Sequence, residues 1–315
     1  MTRRSVLPML AAVAMAVAGC GAVASQHHSP AVSANLLGAS NTAALGTSFS
    51  ASFTGGVSVD LSGVKGLPST MQQQLTKAAS LLNGATLKGT LEFQSSGSAE
   101  LTYTMPPLLS ETVTVLEVGG AGYYSLNGTQ WYSGAPAGGT GSGQLPTGLS
   151  KLRSQLQQLS GELSSAAKVT DLGSGGQING VETEHLEAVI SGSGLDGILS
   201  NAISQLGSGG GSTGGAGLGG LGALTTFGQT RIDSWVATTS HLPQKMTASS
   251  SLTVDLGALS LLAPGSAPSV SGSAAFGFSF SAEFGHYGAN FGLSKPAQVL
   301  PGAPTMPASP LSLFA

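Results

Sequence analysis

The chain has 315 residues, with 11 Lys and Arg against 14 Asp and Glu, which gives a formal net charge of -3. Charged residues make up 8% of the sequence, far below the roughly 25% of ordinary domains, and no basic patch is present, so nucleic acid is not expected as a partner. Cys20 is the single cysteine, which excludes a disulfide within the chain and leaves the fold to depend on its core.

The N-terminus has the features of an export signal. Arg3 and Arg4 precede an apolar stretch over residues 6–18, which is too short to span a bilayer as a finished helix. The stretch ends in Val17-Ala18-Gly19-Cys20, which resembles the lipobox of bacterial lipoproteins. This resemblance implies that residues 1–19 are removed as a signal peptide and that Cys20 is lipidated. An ordinary secretory signal with a chance cysteine is the alternative.

Residues 20–51 follow as a segment rich in Ala, Ser, Gly and Asn, with no sustained hydrophobic period. We predict a flexible tether, and about 30 such residues reach on the order of 30 Å. The expected location is the extracytoplasmic face of the cell membrane, where the lipid on Cys20 provides the anchor. No later segment offers enough uninterrupted apolar residues for a membrane span.

Alternation of apolar and polar residues then predicts strands along most of the chain. They are expected at residues 52–61, 85–94, 98–105, 111–118, 122–126, 130–133, 167–172, 177–190, 226–238, 242–256 and 273–287. Asn127-Gly128 is predicted as a hairpin turn. In the last strand Phe276, Phe278, Phe280 and Phe284 share a face, which indicates either core packing against a helix or the wall of an apolar cavity.

Helical spacing of apolar residues predicts three amphipathic helices, at 67–83, 149–166 and 195–206. The glycine tract at 207–222 is predicted as a flexible loop, and residues 301–315 as a Pro-rich tail. The pattern favours an α+β fold over residues 52–300, in a single domain. We expect a strongly curved antiparallel β-sheet with the amphipathic helices on its concave side.

Sequence motifs for catalysis are weak. Residues 215–220 match G-x-G-x-x-G, but they lie inside the glycine tract and not between a strand and a helix. His185 shares a predicted strand face with Glu187, so an acid–base pair is conceivable, but a solvated strand face is favoured. No histidine spacing supports a metal site. We therefore expect neither metal nor cofactor, and no enzymatic activity.

Three segments together carry a resemblance to a known family. They are residues 122–131, residues 177–186, and residues 231–236 taken with 242–246. Together with the lipobox, their order is similar to that of the LppX/LprG-type lipoproteins of the mycobacterial cell envelope (the LppX, LprA, LprF and LprG family). The resemblance implies a half-barrel whose apolar cavity holds the acyl chains of a lipid or glycolipid.

The resulting functional prediction is an anchored carrier that binds a lipid or glycolipid and transfers it within the cell envelope, with an unknown transport partner. The predicted lipid-binding residues are Leu91, Phe93, Leu101, Tyr103, Met105, Leu152, Leu156, Leu159, Phe276, Phe278, Phe280 and Phe284. The alternative is a non-catalytic envelope lipoprotein that acts as a protein-interaction or lipoprotein-sorting module. That alternative predicts a packed core and an exposed apolar patch instead of a cavity.

Overall fold

A 12-stranded antiparallel sheet is the main element of the protein. The structure is a computed structural model, and it describes residues 43–44, 46–133, 167–195, 225–257 and 270–302. The strands are β1 (Phe49–Asp60), β2 (Thr86–Phe93), β3 (Ala99–Met105), β4 (Leu109–Val118), β5 (Ala121–Leu126), β6 (Gln130–Tyr132), β7 (Ala167–Ile178), β8 (Val181–Ile190), β9 (Thr225–Phe227), β10 (Thr230–Ala237), β11 (Pro243–Asp255) and β12 (Ser273–Gly285). Helix α1 spans Ser69–Asn83.

The spatial order of the strands is β6-β5-β4-β3-β2-β1-β12-β11-β10-β8-β7, with β9 paired beside β11. Each half of the chain thus forms its own run of neighbouring strands, and the β1–β12 pair joins the two halves. Over the described residues β6 and β7 do not pair with each other, so the sheet is open. A sheet of this many strands twists strongly.

Two hairpin turns have the same backbone geometry. Asn127 and Gly128 have φ angles of 57° and 68°, which confirms the turn expected there. Asn179 and Gly180 have φ angles of 51° and 80°, and they divide the single strand predicted at 177–190. The segment from Gly173 to Gly176 was predicted to separate two strands, at 167–172 and 177–190. It lies within β7 instead, as an irregular stretch where the register with β8 shifts.

The other predicted strands are confirmed, with shifts of a few residues at their ends. β1 begins at Phe49, three residues before its predicted start. The strand predicted at 226–238 is two strands, β9 and β10, separated by Gly228 and Gln229. The sheet is therefore antiparallel throughout, as the alternation of residues indicated.

The two faces of the sheet differ sharply in composition. The side that we call the apolar face carries odd-numbered residues of β1 and even-numbered residues of β12, paired as Phe53 with Ala282 and Val57 with Phe278. It holds the main hydrophobic cluster of the protein. The side that we call the hydroxyl face carries Ser, Thr and Gly in the central strands, for example Thr54 opposite Ser281.

Helix α1 is fixed to the sheet by its C-terminal end. Its only buried residue is Ala79, while Leu81 and Leu82 pack against the core. The amide of Asn83 donates to the backbone oxygen of Val59 at 3.0 Å, and the Val59 N–H donates back to the same side chain.

The expectation that the amphipathic helix at 67–83 packs on the sheet is wrong for its first turns. Met71 is 42% exposed and Leu75 is 37% exposed, because the helix contacts the sheet only near its end. The helix predicted at 149–166 lies outside the described residues. Of the helix predicted at 195–206, only Leu195 is described; it is helical and buried in the core.

The chain after β12, a central strand, runs to the edge of the sheet at β6. The Gly288 N–H donates to the Ser48 oxygen at 2.8 Å, and Gln94 donates to Asn290 at 2.7 Å. Leu300 then pairs with Tyr132 of β6 in parallel. This segment therefore covers the free edge of β6. Among the described residues no helix is long and apolar enough to cross a membrane.

Candidate functional site

The apolar face is the candidate functional site, because the predicted lipid-binding residues in the described strands converge on it. The register aligns Ala51 with Leu91 of β2 and with Phe284 of β12. Leu91 in turn lies opposite Leu101 of β3. The face carries Leu91, Phe93, Leu101, Tyr103, Phe276, Phe278, Phe280 and Phe284, and Met105 packs in the same core cluster. Leu152, Leu156 and Leu159 lie outside the described residues.

One end of this face is closely packed. The Phe49 ring centroid lies 5.4 Å from that of Phe93, 6.1 Å from that of Phe284 and 6.3 Å from that of Tyr287. The Tyr287 hydroxyl donates to the backbone oxygen of Pro243, which satisfies the one polar atom of this group. Aromatic rings at these separations stabilise a core beyond the area that they bury. This end is therefore structural.

The other end of the apolar face is more open. Val57 pairs with Phe278, and Phe276 pairs with both Val59 and Leu252. Phe276, Phe278, Val57 and Leu252 are partly buried, and they are not part of the described core clusters. Here two phenylalanine rings and two aliphatic side chains form an apolar surface that the described core leaves partly accessible. We call these four residues the open end.

Tyrosines continue the apolar face on the other half of the sheet. Burial raises the pKa of Tyr103, and the neighbouring Tyr124 adds to the effect. Burial also raises the pKa of Tyr124, with a second contribution from Glu117. Both phenols therefore stay neutral at physiological pH and can donate a hydrogen bond at the margin of an apolar surface.

Buried polar side chains lie on the apolar face at β8 and β10. Glu184 is 5% exposed and lies opposite Val236. Ser234 is 1% exposed and lies opposite Leu186. The register thus places Glu184 on the covered side of the sheet, on the face opposite to that of His185. At β8 and β10 the apolar face therefore includes two buried polar side chains, Glu184 and Ser234.

The hydroxyl face carries an ion-pair network at the same strands. His185 Nε2 lies 2.9 Å from Asp233 Oδ1, and Arg231 Nε donates to Asp233 Oδ2 at 3.0 Å. Arg231 Nη2 also lies 2.6 Å from Glu187 Oε2. The His185 ring stacks on Trp235 at 4.4 Å, with 10° between the planes. The carboxylate beside His185 is thus Asp233, and Glu187 pairs with Arg231 instead.

Asp233 was not among the predicted site residues, although its spacing carries a signal. Asp233 and Trp235 alternate with Ile232 and Ser234, so period-2 spacing places the first two on one face. The network faces away from the apolar face. Arg231 of β10 pairs with Asp233 on its own strand and with Glu187 on β8, so the network links the two strands.

A pocket of about 300 Å³ opens where β1 lies between β2 and β12. It exists because Gly55 and Gly56 contribute no side chains to this part of the sheet. Its lining is formed by Thr54, Gly55, Gly56, Thr86, Ser279, Phe280 and Ser281. Four of these seven residues carry a hydroxyl group, and Phe280 contributes an aromatic ring. The cavity predicted between the sheet and its helices would be bounded in part by residues 149–166, which the structure does not describe.

Metal ligands do not cluster in the part of the chain that the structure describes: no three His, Cys, Asp or Glu side chains are placed to hold an ion there.

Comparisons with known proteins find no matching family model, and no curated protein matches the sequence. Among the solved structures, the chain is similar to the crystal structure of the Mycobacterium tuberculosis lipoprotein LppX. The identity is 14%, the match covers 85% of this chain and 100% of the other, and the TM-score is 0.38. A TM-score of 0.38 does not show a shared fold.

Proposed function

We propose that the protein is a membrane-anchored lipid carrier that binds acyl chains on the apolar face of its sheet. In this proposal the sheet forms a half-barrel around amphipathic helices, and the lipid lies between them. The carrier transfers a lipid or glycolipid within the cell envelope and has no catalytic role. Lipidated Cys20 holds it at the extracytoplasmic face of the cell membrane.

The observation that carries the proposal is the open end of the apolar face. Phe276 and Phe278 face the same side as the packed phenylalanines Phe280 and Phe284, yet they are only partly buried. Apolar surface that is removed from water contributes about 25 cal/mol per Å². Binding of an acyl chain along these rings would be stabilised by this burial of apolar surface. The packed core at the other end would not have to move.

The composition of the two faces supports the same conclusion. Ligand pockets for apolar molecules need apolar walls with a few well-placed polar groups. The apolar face offers phenylalanine and leucine for the chains, and it offers Tyr103 and Tyr124 as polar groups near them. The hydroxyl face, with its Ser and Thr side chains, suits contact with water.

The experiment that tests the proposal is lipid extraction, together with native mass spectrometry, of protein made in its own host. The expected result is a co-purifying lipid with at least one long acyl chain. Phe278→Trp should lower the lipid content while the protein stays folded, because the larger ring fills space that the chain would occupy. Phe284→Trp is the matched control at the packed end, and it should mainly reduce stability, by about 1–3 kcal/mol. Lipid-free protein in every preparation would overturn the proposal.

A second candidate is the non-catalytic interaction module, and one observation favours it. The core around Phe49 is packed while Met71 and Leu75 are exposed, which is the combination that such a module requires. For this candidate Phe278→Trp should reduce stability as much as Phe284→Trp does. The same pair of variants therefore separates the two functions.

A further inference from the structure

We propose that Asn179 is a site of spontaneous covalent modification, at which deamidation converts the side-chain amide to a carboxylate and isomerises the main chain. The site is the turn between β7 and β8, which consists of Asn179 and Gly180. The reagent is water from the solvent. The inference does not depend on the proposed lipid-carrier function, because it concerns a turn outside the apolar face.

The chemistry uses the backbone nitrogen of the residue that follows the asparagine. Glycine is the most favourable residue at that position, because it has no side chain to hinder the attack and its backbone is the most adaptable. A base from the solvent takes the proton of the Gly180 nitrogen, which attacks Cγ of Asn179 and closes a succinimide ring. The Cγ–Nδ2 bond breaks, and Nδ2 leaves as ammonia. Water then opens the ring at either carbonyl, which yields aspartate or isoaspartate.

The first comparison is with an asparagine whose amide is fully held. The chain has three Asn-Gly pairs, which are Asn83-Gly84, Asn127-Gly128 and Asn179-Gly180. Both ends of the Asn83 amide are bonded to the backbone of Val59. The group that would attack is also engaged, because the Gly84 N–H donates to the Ser80 oxygen at 3.1 Å. Asn83 should therefore react slowly.

Asn127 is held at one end of its amide. Its Oδ1 accepts from the Thr112 N–H at 3.0 Å, and its own backbone N–H donates to the Thr112 oxygen at 2.7 Å. These bonds tie the residue to β4, so the amide can turn towards Gly128 only after they break. Asn127 should therefore react more slowly than an unrestrained Asn-Gly pair.

Asn179 has neither restraint. Its side chain is exposed, and no hydrogen bond joins its amide to another described residue. Gly180 is exposed as well, and within the described chain no acceptor takes its backbone N–H. The nucleophile and the carbon that it attacks are thus both available in the folded protein.

The strands that flank the turn favour the local opening that ring closure needs. β7 is the last strand on its side of the sheet, and its register with β8 shifts between Asp171 and Gly176. A disrupted ladder at a sheet edge opens more readily than a regular central pair. The Asn179 turn can therefore change conformation without unfolding of the core.

Modification should loosen this end of the β7–β8 hairpin. Isoaspartate lengthens the main chain of a two-residue turn by one methylene group, so the strands can no longer meet in the same register. The new carboxylate also adds a negative charge to a turn whose flanking pair already carries one, because Gln177 donates to the Glu182 carboxylate there.

The test incubates the full, folded protein in mildly alkaline buffer and a second sample in concentrated urea. Peptide mapping by mass spectrometry, with fragmentation that separates aspartate from isoaspartate, gives the rate at each asparagine. The folded rate divided by the rate in urea removes the influence of neighbouring sequence. This ratio should be at least about fivefold higher at Asn179 than at Asn127, since one hydrogen bond that must break corresponds to a factor of about that size. The ratio at Asn83 should be lower still.

Two results would overturn the proposal. A ratio at Asn179 as low as that at Asn83 would show that the turn itself prevents the reaction. Equal ratios at Asn179 and Asn127 would show that the side-chain bonds do not control it. The effect on the hairpin is measured by amide hydrogen exchange of β7 in the purified isoaspartate form, which should be faster than in unmodified protein. Asn179→Asp is the matched control, because it adds the charge without lengthening the chain, and its exchange should change less. Unchanged exchange in the isoaspartate form would overturn the predicted loosening.

Discussion

The ring of Phe53 occupies the space above Gly89 that a side chain at Gly89 would need. A Cβ atom built on Gly89 would come within 2.5 Å of Phe53 Cζ and within 2.3 Å of the Thr102 backbone oxygen. Phe53 and Gly89 are direct partners across β1 and β2. The glycine thus allows the phenylalanine to lie flat in the core, where it stacks on Phe280 at 6.0 Å.

Gly89→Ala should therefore destabilise the protein by about 1–3 kcal/mol, the usual effect of overpacking a core. Chemical denaturation followed by circular dichroism measures the change in the free energy of unfolding. Gly285→Ala is the control, because a Cβ atom at Gly285 in β12 meets nothing within 4 Å. That variant should change the free energy of unfolding by less than about 0.5 kcal/mol. Equal effects at both glycines would contradict the described packing.

Truncation of phenylalanines should distinguish the two ends of the apolar face. Phe284 is 4% exposed and belongs to the core cluster, so Phe284→Ala should lower the free energy of unfolding by about 3–5 kcal/mol. Phe278→Ala in lipid-free protein should have a clearly smaller effect, because this ring lies at the open end. Denaturation curves of the two variants provide the comparison, and equal losses would show that the open end is packed as well.

Glu100 and Glu92 lie directly opposite each other on β3 and β2. Burial raises the pKa of Glu100 above its ordinary value of 4.5, and the charge of Glu92 raises it further. The folded state therefore binds this proton more tightly than the unfolded state does. This tighter binding of the proton by Glu100 contributes to the free energy of unfolding. The contribution is fully present below the ordinary pKa, and it is lost as pH rises through the raised pKa.

Glu100→Gln should consequently stabilise the protein at neutral pH, by up to about 1 kcal/mol, because it removes a charge that burial disfavours and that Glu92 repels across the two strands. The gain should vanish in acid, where the carboxyl is protonated in both states. Thermal unfolding at a series of pH values measures this difference. Glu92→Gln should give a smaller gain, because it removes only the repulsion, and the double variant should gain less than the sum if the two charges interact. A gain that is independent of pH would point to another cause.

Asp233 binds two partners on the hydroxyl face, and its side chain is 15% exposed. Asp233→Asn should lower the free energy of unfolding by about 1–3 kcal/mol, because it weakens charged hydrogen bonds in a partly buried setting. Glu283→Gln is the control: Glu283 is 53% exposed and lies 4.0 Å from Lys245. Its effect should be close to zero. Urea denaturation of both variants at moderate salt would reveal whether the network carries this stability.

Gly180 has a φ angle of 80°, in the left-handed region. Gly180→Ala should destabilise the β7–β8 hairpin by about 1–2 kcal/mol, which is the energy of placing an ordinary residue there. Asn179→Gly at the neighbouring position should be tolerated, because glycine adopts positive φ readily. Differences in the midpoint of thermal unfolding would test both expectations.

Much of the sheet could be predicted from sequence, because each strand shows its own alternation of residues. The Phe276–Phe284 stripe and the Leu91, Leu101 and Tyr103 positions fell on one face as their spacing required. The β7–β8 hairpin was missed, although Asn179-Gly180 has the same signal as Asn127-Gly128. The glycine-rich segment just before it, Gly173 to Gly176, led to a predicted break at the wrong position.

What the sequence could not predict depends on contacts between distant residues. His185 and Asp233 are 48 positions apart, and only the pairing of β8 with β10 brings them together. For α1, the spacing of apolar residues correctly predicted a helix. Such spacing shows which residues share one side of the helix, but it does not show what packs against that side. Met71 and Leu75 therefore looked like core residues and are exposed instead.

The β1–β12 pair has a consequence for the order in which the protein can assemble during synthesis. Ser50 and Gly285, which are partners across this pair, are 235 positions apart. The first strand therefore has an unsatisfied edge until nearly the whole chain has left the ribosome. Closing so long a loop is slow, and exposed strand edges invite aggregation in the meantime. Chains that terminate before residue 273 would lack β12 and would keep that edge of β1 unpaired.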